Sequence, residues 1–278
     1  MKFDETYFTA MAAYEDALLL LRSPSNATRE IACQDPEWAW KYAYYIDKCP
    51  RDDTREASCK ESYWALAYAG RVDNQPRDDT REAACKDSLC AYDYALWVDK
   101  YPMEITREGA CKDPEWAYAY AKDVDKYSKE NTREGACKNP KYAYLYAKDV
   151  DKCSKENTRE GACKDPRFAY QYARDIDKCS RDNTREAACK DLKWGYKHVS
   201  AKKMKQLVCT SLKWAALYAL NIDKEPRDDT REAACKHPYY AYFYALYVDK
   251  KHRNDTWSAV QNTKYEEEYK NKFNLSNS

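Results

Sequence analysis

Glycine is scarce in this chain: there are five in 278 residues, alongside ten prolines and three histidines. With so few breakers, much of the chain is expected to be helical. Charge of one sign is missing as well, since 48 Lys and Arg stand against 47 Asp and Glu, a net charge of +1. A wholly basic nucleic-acid or membrane binder is thereby excluded. Long hydrophobic runs are also absent, because the longest apolar stretch, Ala17 to Leu21, is far too short to span a bilayer. Met1-Lys2-Phe3-Asp4-Glu5 puts acids where a signal peptide needs positive charge. The expectation is an intracellular, cytoplasmic protein with no membrane association. Enzyme motifs are missing too: there is no glycine-rich phosphate loop, nucleophile elbow or HExxH, and His198, His237 and His252 are scattered. Neither catalysis nor a cofactor nor a small-molecule substrate is expected.

What the chain has in abundance is cysteine, thirteen in all. Cys33, Cys59, Cys85, Cys111, Cys137, Cys163 and Cys189 recur every 26 residues; Cys209 follows after 20 and Cys235 after 26 again. This is the signature of tandem repeats and not of a disulfide scaffold. Each unit reads as two helices. The first is expected to start at a capping box, with Asp53, Asp79, Asn131, Asn157, Asn183 and Asp229 each three residues ahead of a Glu. The second opens at Asp35-Pro36, Asp113-Pro114, Asn139-Pro140 and Asp165-Pro166, with the cap residue followed by proline at the first helical position. On it Trp38, Ala39, Tyr42, Ala43 and Ile46 share one face at helical spacing, as do Trp116, Ala117, Tyr120, Ala121 and Val124. One such pair cannot bury this stripe alone. The expected fold is therefore all-α, an α-solenoid of about ten stacked helix pairs.

The nine periodic cysteines are expected as small core thiols, with Cys49, Cys153 and Cys179 in loops and Cys90 in a Trp/Tyr position. No CxxC pair suggests a metal. The domain reading is a capping helix at 1–27, repeats at 28–255 with a shortened repeat at 184–209, and a C-terminal cap and tail at 256–278. Ala12, Ala13, Ala17 and Leu20 form the expected stripe of the N-terminal cap. Ala110-Cys111-Lys112-Asp113 followed by Trp116-Ala117-Tyr118-Ala119-Tyr120-Ala121 resembles the domain-of-unknown-function class 4116 and related tyrosine-alanine-rich viral and phage arrays. The resemblance covers residues 28–255 and implies a helical repeat of viral or phage type, with no activity attached.

Several periodic features are candidates for function. Asp47, Asp73, Asp99 and their equivalents end the second helix, and Arg55, eight residues after Asp47, is the expected partner in an ion-pair ladder. Tyr92, Tyr118, Tyr144, Tyr170, Tyr196 and Tyr242 form an edge stripe, read as inter-repeat packing in preference to a stacking platform. Lys41, Ala67, Asp93, Ala119, Leu145, Gln171, Lys197, Leu217 and Phe243 occupy one variable, outward position. Near the C-terminus this variation concentrates apolar groups: Leu217, Leu220, Phe243, Leu246 and Tyr247 are the candidate partner-binding residues. From Lys190 to Lys213 seven lysines face Asp191 alone, a local charge of +6. Within it Lys193, Lys197, Lys202, Lys203 and Lys205 are candidate anion contacts. The expected function is a non-enzymatic scaffold for a protein partner or for self-association. Nucleic-acid or phosphoanion binding and a structural part of a viral particle stay open as alternatives.

Overall fold

A computed structural model describes residues 5–21, 23–189 and 212–275. The described residues are helical, with no strand among them, and follow one another as repeated helix pairs, an all-α solenoid. Two compact units are formed, Met1–Ala136 and Cys137–Ser278. No helix among the described residues is long and apolar enough to cross a membrane.

Each leading helix has two turns, as in Asp52–Ser58 and Asp78–Ala84. The trailing helix starts as the sequence suggests. Asp35 accepts the N–H groups of Glu37 and Trp38, Asp113 that of Glu115, and proline fills the first turn. Its second half is π-helical, as in Tyr42–Asp47 and Tyr94–Asp99, and ends on a left-handed residue without glycine. Lys48 (φ 54°), Lys100 (φ 63°) and Lys152 (φ 54°) hold this position. A lysine there costs about 1–2 kcal/mol of backbone strain. The Lys48 and Lys100 N–H groups recover part of it by reaching the carbonyls of Ala43 and Ala95 at 2.9 Å.

The leading helix is held by a tyrosine and not by the expected capping box. Arg51 and Arg77 are the N-caps and make no side-chain cap bond, while Asp53 and Asp79 sit inside the first turn and accept the next residue's N–H. The hydroxyl of the fully buried Tyr68 instead lies 3.0 Å from both the N–H and the carbonyl of Arg51, and 2.8 Å from the Thr54 hydroxyl. The same lock joins Thr28 to Tyr42, Thr80 to Tyr94 and Thr106 to Tyr120 in the first unit. In the second unit it joins Thr158 to Tyr172, Thr230 to Tyr244 and Thr256 to Tyr269. A buried phenol thus satisfies the helix start with its polar tip and fills the core with its ring.

The expected ladder from Asp47 to Arg55 does not form. Arg29 takes Asp47 at 2.6 Å, Arg55 takes Asp73 at 2.7 Å and Arg81 takes Asp99 at 2.8 Å, so each pair closes within its own repeat. The arginine lies on the leading helix and the aspartate at the end of the trailing helix of the same pair. These pairs are buried, and Asp99 is only 4% exposed. Hydrogen bonding to the carboxylate raises the Arg81 and Arg107 guanidinium pKa values further above their ordinary range. Losing one partner of such a pair costs far more than breaking an exposed ion pair.

One lock spans the segment 184–209, expected as a shortened repeat. Thr184 meets Tyr218 at 2.7 Å and Arg185 meets Asp223 at 3.2 Å. The Thr–Tyr separation is 34 residues here and 14 in the regular repeats, so twenty more residues lie between the two lock partners. Cys209, Tyr196 and Lys197 lie outside the described residues.

At the N-terminus Glu5–Glu15 runs into a π-helical segment, Asp16–Leu21, and the two together match a trailing helix. Ala10, Ala13 and Ala17 are buried, whereas Ala12 and Leu20 of the expected stripe are exposed. At the other end Asn254–Val260 and Glu266–Phe273 form a further pair that retains the tyrosine lock through Tyr269. The periodic cysteines sit where the leading helix ends; Cys85 is buried, but Cys33, Cys59, Cys111 and Cys163 are only half-buried. All the described cysteines are free, and Cys49, Cys153 and Cys179 are exposed. Burial pushes the Cys59 and Cys85 thiols up to about 11, and the Cys189 and Cys235 thiols up to about 12.

Candidate interaction face

With the leading helices carrying the locks, variation falls on the trailing helices. Just before each locking tyrosine stand Ala67, Asp93, Leu145, Gln171, Leu217 and Phe243, the position expected to point outward. All six are half-buried, because neighbouring trailing helices lie side by side and this position lines the furrow between them. The edge tyrosines bridge repeats in the same layer. Tyr92 stacks on Trp116 with centroids 5.4 Å apart and its hydroxyl donates to Asp123 at 3.1 Å; Tyr144 donates to Asp175 at 2.7 Å. Burial, reinforced by the Asp123 carboxylate, pushes the Tyr92 phenol up to about 12. These rings pack as structural aromatics.

In the first unit the trailing face is aromatic. Trp40 stacks on Tyr44 at 5.5 Å and meets Trp64 at 5.4 Å, and Tyr63 is set edge-on to Trp64 at 4.8 Å. A furrow of about 320 Å³ follows, lined among others by Tyr63, Leu66, Gly70, Arg71, Asp93 and Trp97. Gly70 opens it, since Tyr44, Leu96 and Lys122 hold the same place in the adjoining repeats. A Cβ on Gly70 would meet only Val98 Cγ2 at 3.8 Å. Trp97 is 68% exposed and Tyr63 62%. Asp93 between them is half-buried, and loss of hydration raises its carboxyl pKa above the usual range although the Trp97 side chain hydrogen-bonds to it. One repeat further on the face turns charged, with Lys122 and Asp123 both exposed.

In the second unit the order is reversed. Lys148 with Asp149 and Arg174 with Asp175, the latter pair 2.6 Å apart, precede the apolar stretch. Among the C-terminal candidates, Leu217 packs against Tyr170 and Tyr218, and Leu220 and Phe243 pack against Ala216, Tyr244 and Val248. These three and Leu246 are half-buried, and only Tyr247 is exposed, at 52%, which corrects the expectation of five exposed groups. Leu217 and Phe243 nevertheless line a furrow of about 220 Å³ with Lys213, Ala216, Tyr239 and Tyr240. Phe243 meets Tyr247 at 4.8 Å.

Sequence comparison among repeats singled out the C-terminal apolar stretch and passed over the N-terminal one. The signal lay three residues after each locking tyrosine, where Tyr45, Arg71, Trp97 and Tyr247 alternate with Asp123, Asp149 and Asp175. Lys193, Lys197, Lys202, Lys203 and Lys205 lie outside the described residues. Lys213 is described and exposed, with its ammonium 5.4 Å from the centre of the Trp214 ring. No group of three or more His, Cys, Asp and Glu that could hold a metal occurs among the described residues. No family model, curated protein or solved structure matches the chain.

Proposed function

We propose that the chain is a non-enzymatic scaffold that binds protein segments along its trailing helices. One observation carries this reading: on an otherwise repeated frame, exposed or furrow-lining apolar side chains gather on this one layer, at Tyr63 and Trp97 and again at Phe243 and Tyr247, while the intervening repeats place Lys, Arg and Asp there. A variable layer on a constant frame is how repeat proteins present different contacts. Aromatic anchors in furrows supply most of the affinity in such interfaces. The complex should persist in high salt and fail when Phe243, Leu246 and Tyr247 become Ser.

A second reading rests on the twenty additional residues inside the repeat closed by Thr184 and Tyr218. That stretch holds the densest positive charge in a chain of net charge +1, which favours a nucleic acid or another phosphoanion as a further ligand. Replacement of Lys197, Lys202, Lys203 and Lys205 by Glu should then abolish a binding that is already steeply salt-dependent, with a logarithmic slope of about −0.7 to −0.9 per phosphate contact. Salt-insensitive binding lost only in the aromatic variant supports the first reading alone.

A further inference from the structure

Four residues depart from the repeat together where two trailing helices of the first unit meet. Ser62–Tyr68, continued by Ala69–Asp73, packs beside Ser88–Asp93, continued by Tyr94–Asp99, and the furrow of about 320 Å³ runs between them. Gly70 stands where the adjoining repeats have Tyr44 and Leu96, and Asp93 where they have Ala67 and Ala119. Trp97 stands where they have Arg71 and Asp123, and Tyr63 where they have Glu37 and Leu89. All four line this one furrow. The furrow and the repeats on both sides of it fall within the described residues 23–189.

Gly70 empties the furrow, and the other three set its chemistry. Asp93 is half-buried, and among the described residues no ion pair reaches it, although Arg71 lines the same furrow. Its carboxylate takes a hydrogen bond from the Trp97 side chain. The only donor there is the indole Nε1–H, so the carboxylate lies at the edge of the ring. Trp97 is 68% exposed and Tyr63 62%, which leaves aromatic surface open to a ligand. A carboxylate that has lost water without gaining a cation favours a positive ligand, and open aromatic faces favour the same charge. Arg71 is exposed, so water screens its repulsion of such a ligand far more than it screens the attraction of the half-buried Asp93. A planar cation fits best, because it can lie on the indole face while donors at its rim reach the carboxylate at the ring edge. An ammonium has no face to stack.

We propose that this furrow takes the side chain of an arginine from a bound protein segment, with the guanidinium stacked on Trp97, its N–H groups donating to Asp93, and its methylene stem passing Tyr63 over Gly70. The proposal rests on the reading of the trailing helices as a protein-binding face and names what the bound segment carries at this point.

The test uses the isotopically labelled full chain and the capped peptide acetyl-Gly-Gly-Arg-Gly-Gly-amide, read by NMR at the Trp97 indole N–H, a resonance that Trp97→Phe identifies. A saturable shift at millimolar peptide is expected. The lysine version should bind at least about threefold more weakly, and the version with citrulline, the uncharged planar analogue, at least about tenfold more weakly. Asp93→Asn and Gly70→Leu should each weaken the arginine peptide at least about tenfold, whereas Arg71→Ala should not weaken it. Gly70 and Arg71 are exposed and Asn matches Asp in size, so these variants should keep the far-UV circular dichroism of the parent. Absence of a saturable shift in the parent overturns the proposal. So does equal binding of the lysine or citrulline peptide, or binding that survives Asp93→Asn. The trailing-face reading fails separately, if the variant with Ser at Phe243, Leu246 and Tyr247 keeps its protein partner; that variant should leave the peptide shift unchanged.

Discussion

Removing the single hydroxyl oxygen of Tyr94 probes the repeat lock with little change in volume. In Tyr94→Phe the ring stays fully buried and no cavity opens, but three contacts disappear: those to the N–H and carbonyl of Arg77, both at 3.0 Å, and to the Thr80 hydroxyl at 2.8 Å. The Thr80 hydroxyl can still donate to the Arg77 carbonyl at 3.2 Å, so the loss reduces to one helix-start N–H without its partner and one hydrogen bond fewer. A buried donor left unsatisfied costs about 1–3 kcal/mol. The comparison variant is Tyr92→Phe, two residues away, whose half-buried hydroxyl bonds to the exposed Asp123 and which should change stability by no more than about 0.5 kcal/mol. Urea unfolding gives the global cost, and native-state hydrogen exchange of Asp78–Ala84 shows whether that leading helix opens first. A Thr80→Val, Tyr94→Phe cycle should return a coupling of about 1 kcal/mol. Equal effects of Tyr94→Phe and Tyr92→Phe would refute the lock.

Loss of the buried cation in Arg81→Met should cost about 3–5 kcal/mol by stranding Asp99, whereas Arg77→Met, which breaks an exposed pair with Asp79, should cost no more than about 1 kcal/mol; urea midpoints separate them. Two glycine substitutions should differ in sign by thermal unfolding. Gly109→Ala should destabilise because Ala91 and the Cys85 carbonyl must move, while Gly70→Ala makes only an ordinary contact with Val98 and should stabilise by about 0.5–1 kcal/mol. Stability should fall at alkaline pH. Burial holds Tyr120 up to about 12 and Cys59 and Cys85 up to about 11, so the unfolded chain loses these protons first; the protecting contribution is complete below the ordinary thiol and phenol values and is lost as pH rises towards 11 and 12. A urea midpoint that rises between neutral pH and about pH 10.5 would contradict this linkage. Under native conditions a thiol reagent should label Cys49, Cys153 and Cys179 first, and mass mapping that finds Cys85 or Cys90 labelled as fast would overturn the burial assignment.

The repeat and its helices were legible because period and Asp-Pro signals are local. Cys33 to Cys59 sets the register, and Asp35-Pro36 starts the trailing helix where it was expected to start. The long-range pairings were not legible from spacing alone. Asp47 has arginines 18 residues before it and 8 residues after it, and it pairs with Arg29 on the leading helix of its own repeat, a choice made by how the two helices pack. The capping box misled for a similar reason: the Asp53-to-Glu56 pattern is present, but the buried Tyr68 hydroxyl takes over the cap and moves the helix start upstream to Arg51. Cysteine counting also did not show that the lock partner of Thr184 is Tyr218, 34 residues further on. On the candidate face, Leu217 and Phe243 were singled out by comparing one position across repeats, and Trp97 was passed over because it varies at another.

Photo-crosslinking from defined positions tests the central claim, a binding face made by the trailing helices, most directly. A benzophenone side chain would be placed singly at Tyr63, Trp97 and Tyr247 on that face, and at Glu56, Glu82 and Glu108 on exposed positions of the leading helices. In cells that express the chain, the account predicts protein adducts from the first three sites that persist after nuclease treatment and high salt, and none from the second three. Adducts that arise mainly from Glu56, Glu82 and Glu108 would contradict it.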